Sequence, residues 1–132
     1  MIGGIVLDKA ALADFVEHPS GRMAKIVDRA VKRMVVICVP TAALAECWAA
    51  TSPKSQAFLA LFSTLPVVVV DPLLHDDAID SGNLGSRAEL PATRVGLMQA
   101  VHVARERGWP VFTGEPLLAR DLDPDVVVEP VA

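Results

Sequence analysis

The sequence predicts an α/β fold, a three-layer α/β/α sandwich with a mostly parallel central sheet. Short apolar runs typical of buried strands alternate with segments whose apolar residues recur at helical spacing. In the clearest case a helical pattern ends in a basic turn at Gly108, and an apolar run at 111–113 follows within a few residues. Because strands joined through helices pair in parallel, we expect helices on both faces of the sheet.

Five short apolar runs predict the strands, since a parallel strand buried on both faces shows no polar alternation. In chain order they are residues 2–7, 35–39, 67–70, 111–113 and 125–128. The first run ends at Asp8 and the third at Asp71, and Pro40 closes the second. Two of the predicted strands therefore carry an acid at their carboxyl end.

Helical spacing predicts helices in most of the segments between the strands. They cover residues 9–17, 21–34, 41–50, 52–64, 91–108 and, as one or two turns, 116–122. Thr41 and Ser52 are suited to cap two of these helices, and Gly108 to stop another. Residues 73–87 are predicted as a poor helix followed by a loop, because acids interrupt the pattern and Gly82 and Gly85 break it.

Length and composition fit a single domain over residues 1–132. The chain is 52% hydrophobic and 21% charged, and a chain of this length can bury a stable core without disulfides or structural metals. Its start lacks a basic region ahead of the apolar residues, so we expect a cytoplasmic protein without a secretory signal. The apolar runs are too short to span a bilayer, and we expect no membrane contact. Cys38 and Cys47 have no metal-ligand spacing and are expected to be reduced core residues.

Three carboxylates are expected to meet at one edge of the sheet. Asp8 follows the first strand, Glu46 lies on the helix after the second, and Glu115 lies just past the fourth. Ligands of open parallel sheets bind beyond the carboxyl ends of the strands. Repulsion among three carboxylates is costly unless a cation or a shared proton offsets it, and oxygen ligands favour Mg²⁺ or Mn²⁺. The pattern therefore predicts a metal site that acts on phosphates.

In order and spacing, these motifs resemble the PIN domain family. They are the strand ending in Asp8, a Thr-x-x-x-x-Glu helix from Thr41 to Glu46, and an Ala-x-x-x-Gly-x-Pro-x-x-Thr-x-acid ending from Ala104 to Glu115. The resemblance implies an α/β/α sandwich and a Mg²⁺- or Mn²⁺-dependent endoribonuclease of toxin–antitoxin type. Asp8, Glu46 and Glu115 would be its metal-binding and catalytic acids. RNA, an antitoxin protein and a second copy of the chain are the partners it implies.

Two positions depart from the family pattern. The family's third acid falls at Leu97, beside Gly96, and Lys9 follows the first acid where a small hydroxyl residue is usual. The Lys9 ammonium can reach an adjacent carboxylate and partly replace the charge of a metal ion. These departures favour an alternative function, a catalytically inactive PIN-like module that binds RNA or a protein partner.

One helix carries basic residues at helical spacing, although the net charge of −4 disfavours broad attachment to nucleic acid. This basic stripe consists of Arg22, Lys25, Arg29, Lys32 and Arg33. Such a stripe can hold an RNA backbone without reading its sequence, and it can also be only the solvated side of an amphipathic helix.

Other polar residues receive structural interpretations. Asp71 precedes Pro72 and is expected to cap or turn the chain. His102 is expected to be a locally hydrogen-bonded helix residue rather than a catalytic base. An aspartate-nucleophile phosphatase is disfavoured, because such a site needs a second Asp two residues after the first and Ala10 stands there.

Overall fold

The computed structural model describes residues 3–90 and 94–132. The strands are β1 (Gly4–Leu7), β2 (Val36–Pro40), β3 (Val68–Asp71), β4 (Val111–Thr113) and β5 (Val128–Pro130). They form one sheet in the order β3-β2-β1-β4-β5, and all four strand pairings are parallel. The chain first winds outward from β1 to β3 and then continues on the other side of β1 with β4. The switch point of the sheet therefore lies between β1 and β4.

Seven helices lie within the described residues. They are α1 (Lys9–Glu17), α2 (Arg22–Lys32), α3 (Thr41–Ala50), α4 (Pro53–Phe62), α5 (His75–Arg87), α6 (Val95–Arg107) and α7 (Pro116–Leu122). No helix in ranges 3–90 and 94–132 is both long and apolar enough to cross a membrane. Residues 2 and 91–93, which the sequence assigns to a strand and a helix, lie outside the described residues.

Alternating side chains of the central strands build two cores. Leu7 and Ile37 point to the face covered by α1, α2 and α4. Val6 and Cys38 point to the opposite face, which is covered by α6. On the outer side of α6, a third cluster joins it to α5 and α7. The predicted three-layer sandwich is confirmed: successive apolar side chains of the strands point to opposite faces of the sheet, and helices cover both faces.

The two cysteines belong to these cores. Cys38 and Cys47 are both buried and without a disulfide in the described part of the chain. Burial raises the pKa of the Cys38 thiol to about 12 and that of Cys47 to about 11. Both thiols therefore stay protonated at neutral pH and act as small core residues.

Two predicted elements differ from the structure. Residues 75–87 form one continuous helix, α5, where a poor helix and a loop were predicted. The prediction was wrong because Leu84 and Gly85 are buried against α6, and this packing outweighs the low helix propensity of the glycines. The last strand begins at Val128 rather than at residue 125, since pairing with Val111 sets its register.

Candidate functional site

A cavity of about 120 Å³ opens at the switch point of the sheet, beyond the carboxyl ends of β1 and β4. Asp8, Glu46 and Glu115 line it, so the structure brings together all three acids that the sequence selects. Its other lining residues are Lys9, Ala10, Arg94, Leu97 and Gly114. We call this cavity and its lining residues the acidic cleft.

Asp8 is the most deeply held of the three acids, with 6% of its surface exposed. It caps the first turn of α1, where its Oδ1 accepts the Ala11 N–H at 2.9 Å. Its Oδ2 accepts the Gly114 N–H at 3.3 Å. Burial raises the pKa of Asp8, and the hydrogen bonds from Thr113, Ala11 and Gly114 offset this only in part. Asp8 thus joins the ends of β1 and β4 to the start of α1.

Glu46 reaches the cleft from the middle of α3. Its Oε2 lies 3.9 Å from the Lys9 Nζ. Its Oε1 lies against the backbone of Gly96, so closely that a Cβ atom at residue 96 would overlap it. The glycine at residue 96 therefore makes the space that the carboxylate occupies.

Glu115 stands at the start of α7 and is paired with Arg94, whose Nη1 donates to the carboxylate Oε1. The side chain of Arg94 is 37% exposed and that of Glu115 is 35% exposed. Arg94 was missed in the sequence analysis. It lies 21 residues from its partner and just before α6, and no local pattern marks it.

Comparison with solved structures gives matches over nearly the whole chain. The chain aligns with VapBC2 from Rickettsia felis, bound to a DNA fragment from its promoter, at a TM-score of 0.73 and 16% identity over 100% of both chains. The chain has a PIN-like fold. A second match is FitAB bound to the IR36 DNA fragment, with a TM-score of 0.66 and 16% identity over 96% of this chain and 94% of that one. The sequence itself matches no family model and no curated protein.

As built, this PIN-like cleft does not fit a divalent cation. Both carboxylate oxygens of Asp8 accept backbone N–H groups, and the other two acids each face a side-chain cation. Leu97 supplies an apolar wall of the cavity. Among residues 3–90 and 94–132, no three His, Cys, Asp or Glu side chains are grouped so that they could hold a metal ion. The three carboxylates and two cations leave the cleft a formal charge of −1.

The basic stripe lies apart from the cleft. All five of its side chains are exposed, four on α2 and Arg33 directly after it, and none of them lines the cleft. Lys32 forms an ion pair of 2.9 Å with Asp28 one turn earlier in the same helix. The structure thus places the stripe on a solvent-facing side of the PIN-like domain, and its role as an RNA surface stays a prediction.

Gln99 anchors the start of the helix that carries Glu46, and sequence reasoning missed it. The side chain is fully buried. Its Oε1 accepts the Ala42 N–H at 2.8 Å, and its Nε2 donates to the Asp71 carbonyl at 3.0 Å. The side chain therefore ties α6 to the start of α3, which carries Glu46, and to the end of β3. A polar residue within the apolar stretch of α6 is the one feature that marks it in the sequence.

Two other polar residues make longer-range contacts than expected. His102 Nε2 lies 3.2 Å from Asp77 Oδ1, so it bonds across to α5 rather than within its own helix. Asp71 accepts two hydrogen bonds from the guanidinium of Arg107, at 3.1 and 3.0 Å, instead of only capping a turn. Both contacts hold α6 in place relative to the sheet and α5.

Proposed function

We propose that this chain is a PIN-like module of toxin–antitoxin type that works in the cytoplasm by binding a protein partner, and that its acidic cleft does not cleave RNA. The observation that supports this most directly is the pairing of Glu115 with Arg94 in the cleft. The contact between Lys9 and Glu46 and the presence of Leu97 act in the same direction.

Metal-dependent phosphodiester hydrolysis needs a cation held firmly enough to orient and activate a water. A cation entering this cleft has to displace the Arg94 guanidinium from a charge-assisted hydrogen bond and approach the Lys9 ammonium. It also has to compete with backbone N–H groups for Asp8. These costs oppose binding of an ion that is already well hydrated.

The partner surface is proposed on the opposite face of the sheet from α6. A groove of about 320 Å³ lies between α2 and α4, with Phe15 of α1 at its wall. Its lining is apolar and partly exposed, since Phe58 is 48% and Leu61 is 70% solvent-accessible, and Asp28 is its polar lining residue. Exposed apolar patches rimmed by polar residues are typical of protein interfaces. The groove suits the apolar face of a helix from an antitoxin-type partner. We also propose that the chain forms the homodimer that the family resemblance implies.

The catalytic part of the proposal is tested with the purified protein, RNA and Mn²⁺. We expect no RNA cleavage above background and no heat of Mn²⁺ binding at millimolar metal. Cleavage by the wild type that is lost in Glu46→Gln would overturn the proposal. It would establish a second candidate function, a Mg²⁺- or Mn²⁺-dependent endoribonuclease that uses Asp8, Glu46 and Glu115. The convergence of the three acids on one cavity is the observation that favours this candidate.

The partner surface is tested with a designed peptide that carries leucines at positions i, i+3, i+4 and i+7 and acids on its opposite face. Fluorescence anisotropy should show binding to the wild type and a loss of about tenfold or more in Leu61→Glu. Leu117→Glu is the matched control, because Leu117 is a similarly exposed leucine on α7, outside the groove. Equal losses in both variants would contradict the assignment of the groove.

The basic stripe is proposed as an additional surface, one that holds RNA through its phosphates without cleaving it. Its support is the exposure of all five basic side chains, four along α2 and one at its C-terminal end. Contacts of this kind are electrostatic and therefore depend steeply on salt.

A further inference from the structure

We propose that Lys9 and Arg94 are built-in counter-ions, which occupy the electrostatic place of a divalent cation in the acidic cleft and keep such a cation out. This inference rests on the proposed function and names the residues that enforce it. It predicts that removing the two side-chain cations leaves the repulsion among the three carboxylates uncompensated and so raises the affinity of the cleft for a divalent cation.

Arg94 is the stronger of the two counter-ions. Its guanidinium donates directly to Glu115 from the residue before α6, and about two thirds of both side chains are shielded from water. Guanidinium stays charged at all relevant pH values, and it is more weakly hydrated than an ammonium. Its bond to the carboxylate is therefore a stable substitute for a metal–oxygen contact.

Lys9 acts on the other side of the cleft. It is the first residue of α1, directly after Asp8, and its Nζ lies 3.9 Å from Glu46 Oε2. This pair is longer than the Arg94 pair, and the Lys9 side chain is half exposed. At this separation it lowers the repulsion between Glu46 and its acidic neighbours more than it fixes geometry.

The first turn of α6 gathers the features that distinguish this cleft. Arg94 precedes it, Gly96 lies against the Glu46 carboxylate, and Leu97 closes the cavity with an apolar side chain. A carboxylate oxygen thus fills the space beside the residue 96 backbone, and a cation from the same turn neutralises Glu115. The two cations of the chain itself compensate two of the three carboxylate charges, which relieves most of the repulsion among the acids without a bound ion.

The test compares Mn²⁺ binding by the wild type, Lys9→Gln, Arg94→Gln and the double variant, by titration calorimetry and by the shift of the melting temperature with Mn²⁺. The matched control is the double variant Arg29→Gln, Lys32→Gln, which also removes two positive charges, but from the exposed side of α2. We expect Mn²⁺ to bind the cleft double variant about tenfold or more tightly than the control, with smaller gains in the single variants. Circular dichroism verifies that each variant is folded, and the single variants supply the comparison if the double variant is not.

The outcomes separate this inference from the proposed function. If the wild type binds Mn²⁺ as tightly as the double variant does, both the counter-ion inference and the proposed function are overturned. A silent wild type with no gain in the double variant, or with an equal gain in the α2 control, would overturn the counter-ion inference alone. A gain confined to the cleft variants supports it.

Discussion

At the scale of single residues, Asp8 combines a structural and an electrostatic role. It caps α1 and accepts a backbone hydrogen bond from the loop after β4 while its carboxylate lines the acidic cleft. Burial raises its pKa above the ordinary value of 3.8. The folded protein therefore binds a proton at this residue more tightly than the unfolded chain does. The stability that Asp8 contributes is thus fully present at low pH and is lost as the pH rises through the folded-state pKa.

The first prediction concerns this pH dependence. Asp8→Asn has no carboxyl group to titrate, so its free energy of unfolding should rise relative to that of the wild type as the pH increases from about 4, and the difference should level off above the folded pKa. Urea denaturation at a series of pH values measures this difference. Asp76→Asn is the control, because it removes a carboxylate whose side chain is 97% exposed. A difference that is constant, or that falls with pH, would contradict the prediction.

The second prediction concerns Gln99. Replacement by Leu leaves the Ala42 N–H and the Asp71 carbonyl without their buried partner, so Gln99→Leu should lower the free energy of unfolding by roughly 2–4 kcal/mol. Gln56→Leu is the control, since Gln56 donates to carbonyls that water can reach, and it should change stability by less than about 1 kcal/mol. Chemical denaturation measures both. If both variants lower the free energy of unfolding equally, the buried hydrogen bonds of Gln99 are not what stabilises the fold at this position.

These residues show which parts of the site can be read from sequence. Asp8 was predictable because its position after an apolar run places it at a strand end. Arg94 and Gln99 were not, because each acts through a partner 21 or 57 residues away, and such contacts leave no local spacing. The acids of the cleft could thus be identified from the sequence. The ion pairs that neutralise them could not, because they depend on tertiary contacts.

At the scale of elements, α5 shows why local propensity failed. Its two glycines occupy different environments: Gly82 is exposed, with nothing near the position of a Cβ atom, whereas Gly85 is buried beneath Met98 of α6. Close packing of α5 on α6 is possible because residue 85 has no side chain. The helix is therefore stabilised by its packed face, which no propensity scale includes.

The third prediction follows from that difference. Gly82→Ala should raise the free energy of unfolding by about 0.5–1 kcal/mol, because alanine reduces the freedom of the unfolded chain and meets no neighbour. Gly85→Val should lower it by about 1–3 kcal/mol, because its side chain overlaps that of Met98. Thermal and urea unfolding report both changes. Destabilisation by Gly82→Ala would show that α5 needs flexibility at this position.

At the scale of the whole molecule, the sequence predicted the layers and the edge of the sheet that carries the cleft. Alternating strands and helices imply parallel pairing, and the switch point then lies where β4 joins β1 on the side opposite to β2. Acidic and basic side chains lie in different parts of the molecule: three acids line the cleft at the carboxyl edge of the sheet, and five exposed cations lie on α2 and at its C-terminal end. A protein with a net charge of −4 therefore still carries a local positive surface.

The last prediction tests that surface as a whole. If the basic stripe holds single-stranded RNA, the logarithm of the binding constant should fall with the logarithm of salt by about 0.7 for each phosphate contacted. The triple variant Arg22→Gln, Lys25→Gln, Arg29→Gln should then have a slope that is shallower by about 2. Its control removes three other exposed cations, in Lys54→Gln, Arg87→Gln, Arg120→Gln. Fluorescence anisotropy across a salt series measures both slopes. If both variants change the slope equally, overall charge rather than the stripe governs binding, because only a localised surface can distinguish two molecules of the same net charge.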